Sequence, residues 1–251
     1  MFLSIIILTC DQTATTLELL RSADALMRER DDVEIRMVDN GRTPVEPAIR
    51  AEGFGWIDRL HIIANGENRG VAAGRNQGLR AAEGEVMMIL DNDTIVTPEA
   101  VLGLAQYVAE HQQCGVAGPT LVSADGVVQD SAKPFPSPWL KLRHTVGVKG
   151  LTGREREAME SGHPTYVIGA CQAFRRDTLK RVGWLDEGIF YGPEDADFCL
   201  RVGRLGLTVD YRPEFRIIHH WRRATRRSPF SSLALKHAKG LLRFYLRHLF
   251  R

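Results

Sequence analysis

Asp91 and Asp93 flank Asn92 at the end of the apolar run 86–90. Two carboxylates where a buried strand meets solvent suit a hard divalent cation, Mg²⁺ or Mn²⁺, shared with a substrate's phosphates. In open α/β sheets, ligands bind in the crevice outside the carboxyl ends of the strands. The same tripeptide also suits a plain polar turn, so its company must decide. Three other groups could supply that company. Glu194, Asp195 and Asp197 open a helical stretch after Phe190-Tyr191-Gly192-Pro193. The helix dipole alone favours acids there, yet a turn-rich, aromatic approach can also set a carboxylate in a cleft as general base. His219 and His220 follow a short strand-like run, where adjacent side chains face opposite ways. One imidazole can then join a carboxylate metal site, or donate to a phosphate, while the other packs elsewhere. The last group is 68–78, with Gly70, Gly74 and Gly78 at four-residue spacing. It is neither the dinucleotide fingerprint nor a P-loop. Such glycines let another element approach closely, and Arg75, near a helix start, suits a phosphate or a pyrimidine carbonyl.

The elements that must position these groups alternate. Strands are expected at 4–8, 34–38, 60–63 and 86–90, with helices at 15–30 and 72–82. That alternation argues for an α/β fold, a parallel sheet covered by helices. A polar group follows each strand: Thr9 and Asp11, then Asp39 and Asn40, then Asn65, then Asp91 to Asp93. A parallel sheet brings all of them to one edge. Thr97 and Pro98 cap and open a helix that runs to about residue 111. The stretch 123–133 reads as turns or a hairpin, and 134–164, rich in proline, as an irregular excursion facing the acceptor. A strand at 166–174, helices at 176–182 and 193–204, short strands at 208–211 and 216–218, and a helix at 232–250 complete the expectation.

Composition narrows the class. Hydrophobic residues make up 44% and charged residues 25% of the 251, which permits a sizeable core and implies no disorder. A net charge of +2 does not suggest a nucleic-acid binder. Charge is uneven, however: 216–251 holds ten Lys or Arg and no Asp or Glu, which points to a local anionic partner. Cys10, Cys114, Cys171 and Cys199 are scattered, so free thiols in a reducing compartment are expected. The apolar N-terminus lacks the features of a signal peptide, and no stretch approaches the roughly 20 apolar residues of a membrane span. A cytoplasmic protein is expected. Lys236, Lys239, Arg243 and Arg247 fall on one face of the last helix, beside Leu235, Leu242, Tyr245, Leu246 and Leu249. That helix either docks on the domain or lies on anionic lipid at the inner face of the plasma membrane.

The ordered set of motifs resembles family 2 glycosyltransferases with the GT-A fold, in the bacterial rhamnosyltransferase-like branch. It runs from Ile5-Ile6-Ile7-Leu8-Thr9 through Val38-Asp39-Asn40-Gly41, Asn68-Arg69-Gly70, Gly74-Arg75-Asn76-Gln77-Gly78 and Leu90-Asp91-Asn92-Asp93. It continues through Ile168-Gly169-Ala170-Cys171, Gly183-Trp184-Leu185-Asp186-Glu187, Phe190 to Asp197, Leu200-Arg201 and Ile218-His219. The resemblance implies one GT-A domain over 1–222, with a nucleotide-sugar part (1–115), an acceptor and catalytic part (116–222), and a basic helical extension (223–251). It implies a mostly parallel central sheet flanked by helices.

The resemblance also implies roles. Asp39 would hold the pyrimidine of a dTDP- or UDP-linked sugar, helped by Thr9 and Arg75, with Asp11, Asn40, Asn76, Asp91 and Asn92 completing the donor site. Asp91, Asp93 and His219 would bind Mn²⁺ or Mg²⁺. Asp195 would be the catalytic base of an inverting transfer of rhamnose or another hexose. Trp184, Glu194 and Asp197 would hold the acceptor, which is a glycan, a lipid-linked sugar or a small molecule in cell-surface polysaccharide or glycoconjugate synthesis. Departures from the family pattern at Asp11, Arg42, Trp184 and Gly192-Pro193 bear on donor and acceptor identity. Two rivals remain at this stage: a non-catalytic sugar-nucleotide or glycan-binding module, and a nucleotidyltransferase. The latter would carry a glycine-rich basic loop after the first strand, where Cys10-Asp11-Gln12-Thr13 stands.

Overall fold

The computed structural model describes residues 1–135, 162–220 and 232–248. Trp221, most of the irregular 134–164 region and the stretch around the 222/223 boundary lie outside the described residues. The strands are β1 (Leu3–Thr9), β2 (Val33–Asp39), β3 (Leu60–Ala64), β4 (Val86–Asp91), β5 (Thr94–Ile95), β6 (Cys114–Val122), β7 (Ala132–Lys133), β8 (Tyr166–Val167), β9 (Cys171–Arg175) and β10 (Thr208–His219). Eight of them form one sheet in the order β3-β2-β1-β4-β9-β6-β10-β5, and β7 pairs with β8 apart from it. The sheet is parallel from β3 to β4 and again between β6 and β10. β9 and β5 run antiparallel to their neighbours. This is the expected α/β architecture, mostly parallel, with antiparallel insertions in the second half.

Side-chain alternation sorts the core into two layers. Ile5 and Ile7 of β1 pack with Leu19, Leu20, Leu26 and Met27 from α1 (Thr13–Ser22) and α2 (Asp24–Glu29). The same layer takes Ile49 of α3 (Glu46–Ala51) and Val101, Leu104 and Val108 of α5 (Pro98–Glu110). Ile6 faces the other way, onto Leu79 of α4 (Val71–Ala81), Leu179 of α6 (Arg176–Val182) and Phe198 and Val202 of α7 (Glu194–Arg204). Each large aliphatic side chain fully removed from water contributes about 1.5–3 kcal/mol. All four cysteines are free.

Three expectations change. The helix expected at 15–30 is two helices, because Ser22 Oγ donates to Leu19 O and accepts from Val96 N, turning the chain there. The strands at 208–211 and 216–218 are one strand, β10, with a register shift between Arg212 and Arg216. Pro213 inside that shift has no N–H for the ladder, which is where a bulge is tolerated. The strand at 166–174 breaks into β8 and β9, and the break at Ile168-Gly169-Ala170 enters the site described below. β6 and the two-residue β5 were not expected at all. The Thr97 cap is present, its hydroxyl accepting from Ala100 N.

The last helix, α8 (Ser232–His248), buries Gly240, Phe244 and His248 and exposes Leu235, Leu242 and Leu246, each near 60% accessible. It is fastened by ion pairs from Arg243 and Arg247 to Asp186 at 2.8 and 2.9 Å, and by a hydrogen bond between His248 Nε2 and Asp197 at 2.8 Å.

Candidate active site

The ends of β1, β2 and β4 open on a cavity of about 780 Å³, within the usual range for a small-ligand site. Asp91 closes β4, and the chain turns through Asn92 and Asp93 into β5. β5 then pairs antiparallel with the end of β10, Thr94 opposite His219. That pairing is what brings a distant histidine to the acid pair. His219 Nε2 lies 3.5 Å from Asp93 Oδ1. One ligand atom from each of Asp91, Asp93 and His219 lies within 4.8 Å of the others. Two carboxylates and an imidazole on a common centre suit Mn²⁺ or Mg²⁺, so the residues present fit the implied metal.

Arg75, on α4, spans the cavity floor. Its Nη2 lies 2.6 Å from Asp91 Oδ1 and 2.7 Å from Gly169 O, and its Nη1 lies 2.9 Å from Glu194 Oε1. Gly169 has no side chain because one would meet this guanidinium: a Cβ there would stand 2.6 Å from Arg75 Nη1. The Gly169 N–H donates to Asp195 Oδ2 at 2.9 Å. The other Asp195 oxygen accepts from Ala196 N at 2.8 Å. The metal-type acids and the proposed base thus meet through Arg75 and the two backbone polar groups of one glycine, Gly169.

Glu194 and Arg75 are both buried, and Glu194 Oε2 and Arg75 Nε find no partner among the described residues. Burial, then the adjacent Asp195 charge, push the Glu194 carboxyl up to about 7 against the pull of Arg75. Burial, then Asp91 and Glu194, also raise the Tyr191 phenol. Phe190 and Tyr191 roof the cavity. Phe190 O accepts from Val71 N at 2.7 Å, and its ring leaves no room at Gly70, whose φ of +90° itself favours glycine.

Thr9, Asn40, Arg75, Asp91, Asn92, Asp93, Glu194, Asp195 and His219 all line the cavity. Thr9 Oγ1 pairs with Thr16 Oγ1 at 2.8 Å, and Asn92 Nδ2 donates to Thr16 Oγ1 at 3.0 Å. These two therefore shape the turn from beneath. Asn40 spans Gly70 O and Asn65 Nδ2.

Five expected site residues do not line this cavity. Asp39 is buried, and its oxygens accept from Gly41 N and Val45 N, which fixes the loop after β2. Asp11 is exposed at φ +52° and accepts from Arg42 N and Thr43 N. Asn76 is fully buried, its amide engaged by Leu185 and Glu187. Trp184 is exposed beneath the Arg80 guanidinium, 4.9 Å from its ring centre. Asp197 is fully buried among Arg201, Arg247 and His248.

Other wall residues carried no sequence signal. Gln129 comes from a turn-like stretch, bonding His219 twice: Nε2 to the backbone O at 2.7 Å, Oε1 to Nδ1 at 2.8 Å. Leu233 of α8 also lines the cavity. Nothing local marks either residue, since each reaches the site only through packing of distant segments.

The fold and chain both have relatives. The structure resembles the Pyrobaculum calidifontis mannosyltransferase PcManGT in complex with GDP-Man and Mn²⁺, with a TM-score of 0.68 and 17% identity. That match covers 98% of this chain and 64% of the other. It also resembles GalNAc-T7 with UDP, GalNAc and Mn²⁺, with a TM-score of 0.72 and 16% identity over 98% of this chain and 48% of that one. Both are glycosyltransferases, and the shared architecture is the GT-A fold. In sequence the chain is similar to an N-acetylglucosaminyl-diphospho-decaprenol L-rhamnosyltransferase of Mycobacterium tuberculosis, 26% identical over 92% of this chain and 80% of the relative. It is also similar to the dTDP-rhamnosyl transferase RfbF of Shigella flexneri, 24% identical over 65% of this chain and 53% of that protein. The model of glycosyl transferase family 2 matches residues 4–183, a span that holds β1 to β4, the Asp91–Asp93 turn and Arg75, and by that match the chain belongs to glycosyl transferase family 2.

Proposed function

We propose that the protein is an inverting, metal-dependent hexosyltransferase, rhamnosyltransferase-like, using a dTDP- or UDP-linked sugar. The observation that carries this reading is that one cavity is lined both by the Asp91, Asp93 and His219 donor set and by Asp195. Asp91, Asp93 and His219 would hold Mn²⁺ or Mg²⁺. That ion would act as Lewis acid and template for the departing diphosphate.

The chain's own residues do the rest. Asp195 takes the proton of an acceptor hydroxyl while the hydroxyl oxygen bonds to the anomeric carbon. The bond from that carbon to the diphosphate oxygen breaks, and the nucleoside diphosphate leaves with the electron pair. Each Asp195 oxygen already accepts one backbone N–H and keeps a second lone pair for the proton. The Gly169 N–H aims the carboxylate, and Arg75 ties that aim to Asp91. Asp39 and Asp11 brace the loop beside the donor end, and Glu194 stands next to the base.

Residues 1–115 would serve the donor and 116–222 the acceptor. The Mycobacterium tuberculosis relative, whose name couples L-rhamnosyl transfer to a diphospho-decaprenol, supports a lipid-linked acceptor in cell-surface glycan synthesis. Among the described residues no helix is long and apolar enough to cross a membrane. The exposed Leu235, Leu242 and Leu246, in a chain end rich in Lys and Arg, support contact with an anionic membrane surface instead. The reading is tested by release of nucleoside diphosphate from a panel of dTDP- and UDP-linked sugars. Release abolished by a chelator and restored by Mn²⁺ is expected, and binding without turnover across the panel contradicts it.

A further inference from the structure

Gln129 stands behind His219, on a segment tied to β6 by Gln129 N donating to Leu121 O at 2.8 Å and by a Val128–Val122 bridge. Its side chain meets His219 at two points. Nε2 lies 2.7 Å from the histidine's own carbonyl oxygen, and Oε1 lies 2.8 Å from ring Nδ1. A backbone carbonyl can only accept, so the first contact settles which end of the amide is nitrogen. The amide oxygen then faces the ring, and an amide oxygen can only accept as well. Nδ1 must carry the hydrogen. In the neutral ring Nε2 is left with its lone pair, and Nε2 is the atom facing Asp93 at 3.5 Å.

We propose that Gln129 is a positioning residue: it locks His219 in the Nδ1–H tautomer and so directs an Nε2 lone pair at the Asp91–Asp93 pair. The chemistry requires it because a cation needs an unprotonated imidazole nitrogen, and a histidine without a fixed partner divides its proton between the two. Partners of this kind set ring orientation and ligand basicity, and their loss weakens metal affinity by about 10–100-fold. The inference rests on the reading of this cavity as a metal site, but the lock exists before any cation arrives. It can therefore be read in the metal-free protein.

The experiment records long-range ¹H–¹⁵N correlations of the histidine rings in metal-free protein at pH 8, above the ordinary imidazole range. His219 is assigned by comparison with His219→Ala. The wild type should show Nδ1 protonated and Nε2 bare. Gln129→Met, which keeps the length and removes both polar ends, should shift protonation toward Nε2. Mn²⁺ titration followed by electron paramagnetic resonance should show affinity about 10–100-fold weaker in Gln129→Met. In a His219→Ala background the same change should add nothing, since the two residues act as one unit. A protonated Nε2 in the wild type, a fully additive loss in the double variant, or equal Mn²⁺ affinity in wild type and Gln129→Met overturns the proposal. Wild type that shows the Nδ1–H pattern but binds no Mn²⁺ overturns the metal reading of the cavity, and the purpose assigned to Gln129 with it.

Discussion

Arg75 Nη1 lies 2.9 Å from Glu194 Oε1, in an ion pair whose side chains are 5% and 7% exposed. The same guanidinium reaches Asp91 Oδ1 at 2.6 Å. Removing one partner of a buried pair leaves an uncompensated charge and costs about 3–5 kcal/mol. Arg75→Met should therefore lower stability by about that amount, read as a lower urea midpoint with an unchanged slope. A surface role for Arg75 would leave the midpoint where it is.

Glu194 gives the pair a pH signature. Its folded-state pKa, about 7, stands above the ordinary carboxyl value, because burial and then Asp195 outweigh Arg75. Between the ordinary carboxyl range and pH 7 the folded state binds more protons than the unfolded state, so this group's contribution to stability falls as pH rises through that window. Wild type should lose melting temperature from about pH 4.5 to pH 7 relative to Glu194→Gln, whose profile should be flatter. Parallel profiles for the two proteins would contradict a raised Glu194 carboxyl.

Much of this was legible in the sequence, for identifiable reasons. β1 and β4 announce themselves as near-continuous apolar runs, β2 by apolar residues alternating with Glu34 and Arg36, and the polar groups after the parallel strands fall on one edge as expected. β6 stayed hidden because Cys114–Val122 contains Gly115, Gly118 and Pro119, which read as breakers. The structure explains one of them: a Cβ on Gly118 would stand 2.7 Å from Val167 Cβ. Asp195 and His219 were identifiable as chemistry but not as neighbours of Asp91, since the link is made by Gly169 and by the two-residue β5. Asp197 shows the opposite failure. Three acids at one helix start look alike in sequence, and only packing separates the one that faces the cavity from the one under α8.

Asp197 is expected to serve stability. It is fully buried and met by Arg201 at 2.8 Å, Arg247 at 3.2 Å and His248 at 2.8 Å. Asp197→Ala should cost about 3–5 kcal/mol in denaturant unfolding. The KM for acceptor in the protein that remains folded should be unchanged. A raised acceptor KM with wild-type stability would return Asp197 to the acceptor site.

The leucines of α8 can be tested without disturbing that anchor. Deleting 232–251 would remove Arg243 and Arg247 from Asp186, and Arg247 and His248 from Asp197, so point changes are preferable. The triple change Leu235→Gln, Leu242→Gln and Leu246→Gln should abolish sedimentation with phosphatidylglycerol vesicles while nucleoside diphosphate release in solution persists. Wild type should bind these vesicles less at high salt, as anionic headgroups are screened. Equal binding of wild type and triple variant would contradict a lipid-facing stripe, as would a wild-type dimer that the triple change dissociates.

We propose that Asp195 removes the acceptor proton in the cavity it shares with Asp91, Asp93 and His219. The most direct measurement is transfer by Asp195→Asn from whichever nucleotide-sugar the wild type uses, with Mn²⁺ present and donor binding measured in parallel. Its kcat should be lower by about 10²–10⁴-fold, with donor and Mn²⁺ affinity retained. Wild-type turnover by a folded Asp195→Asn protein would contradict the proposal.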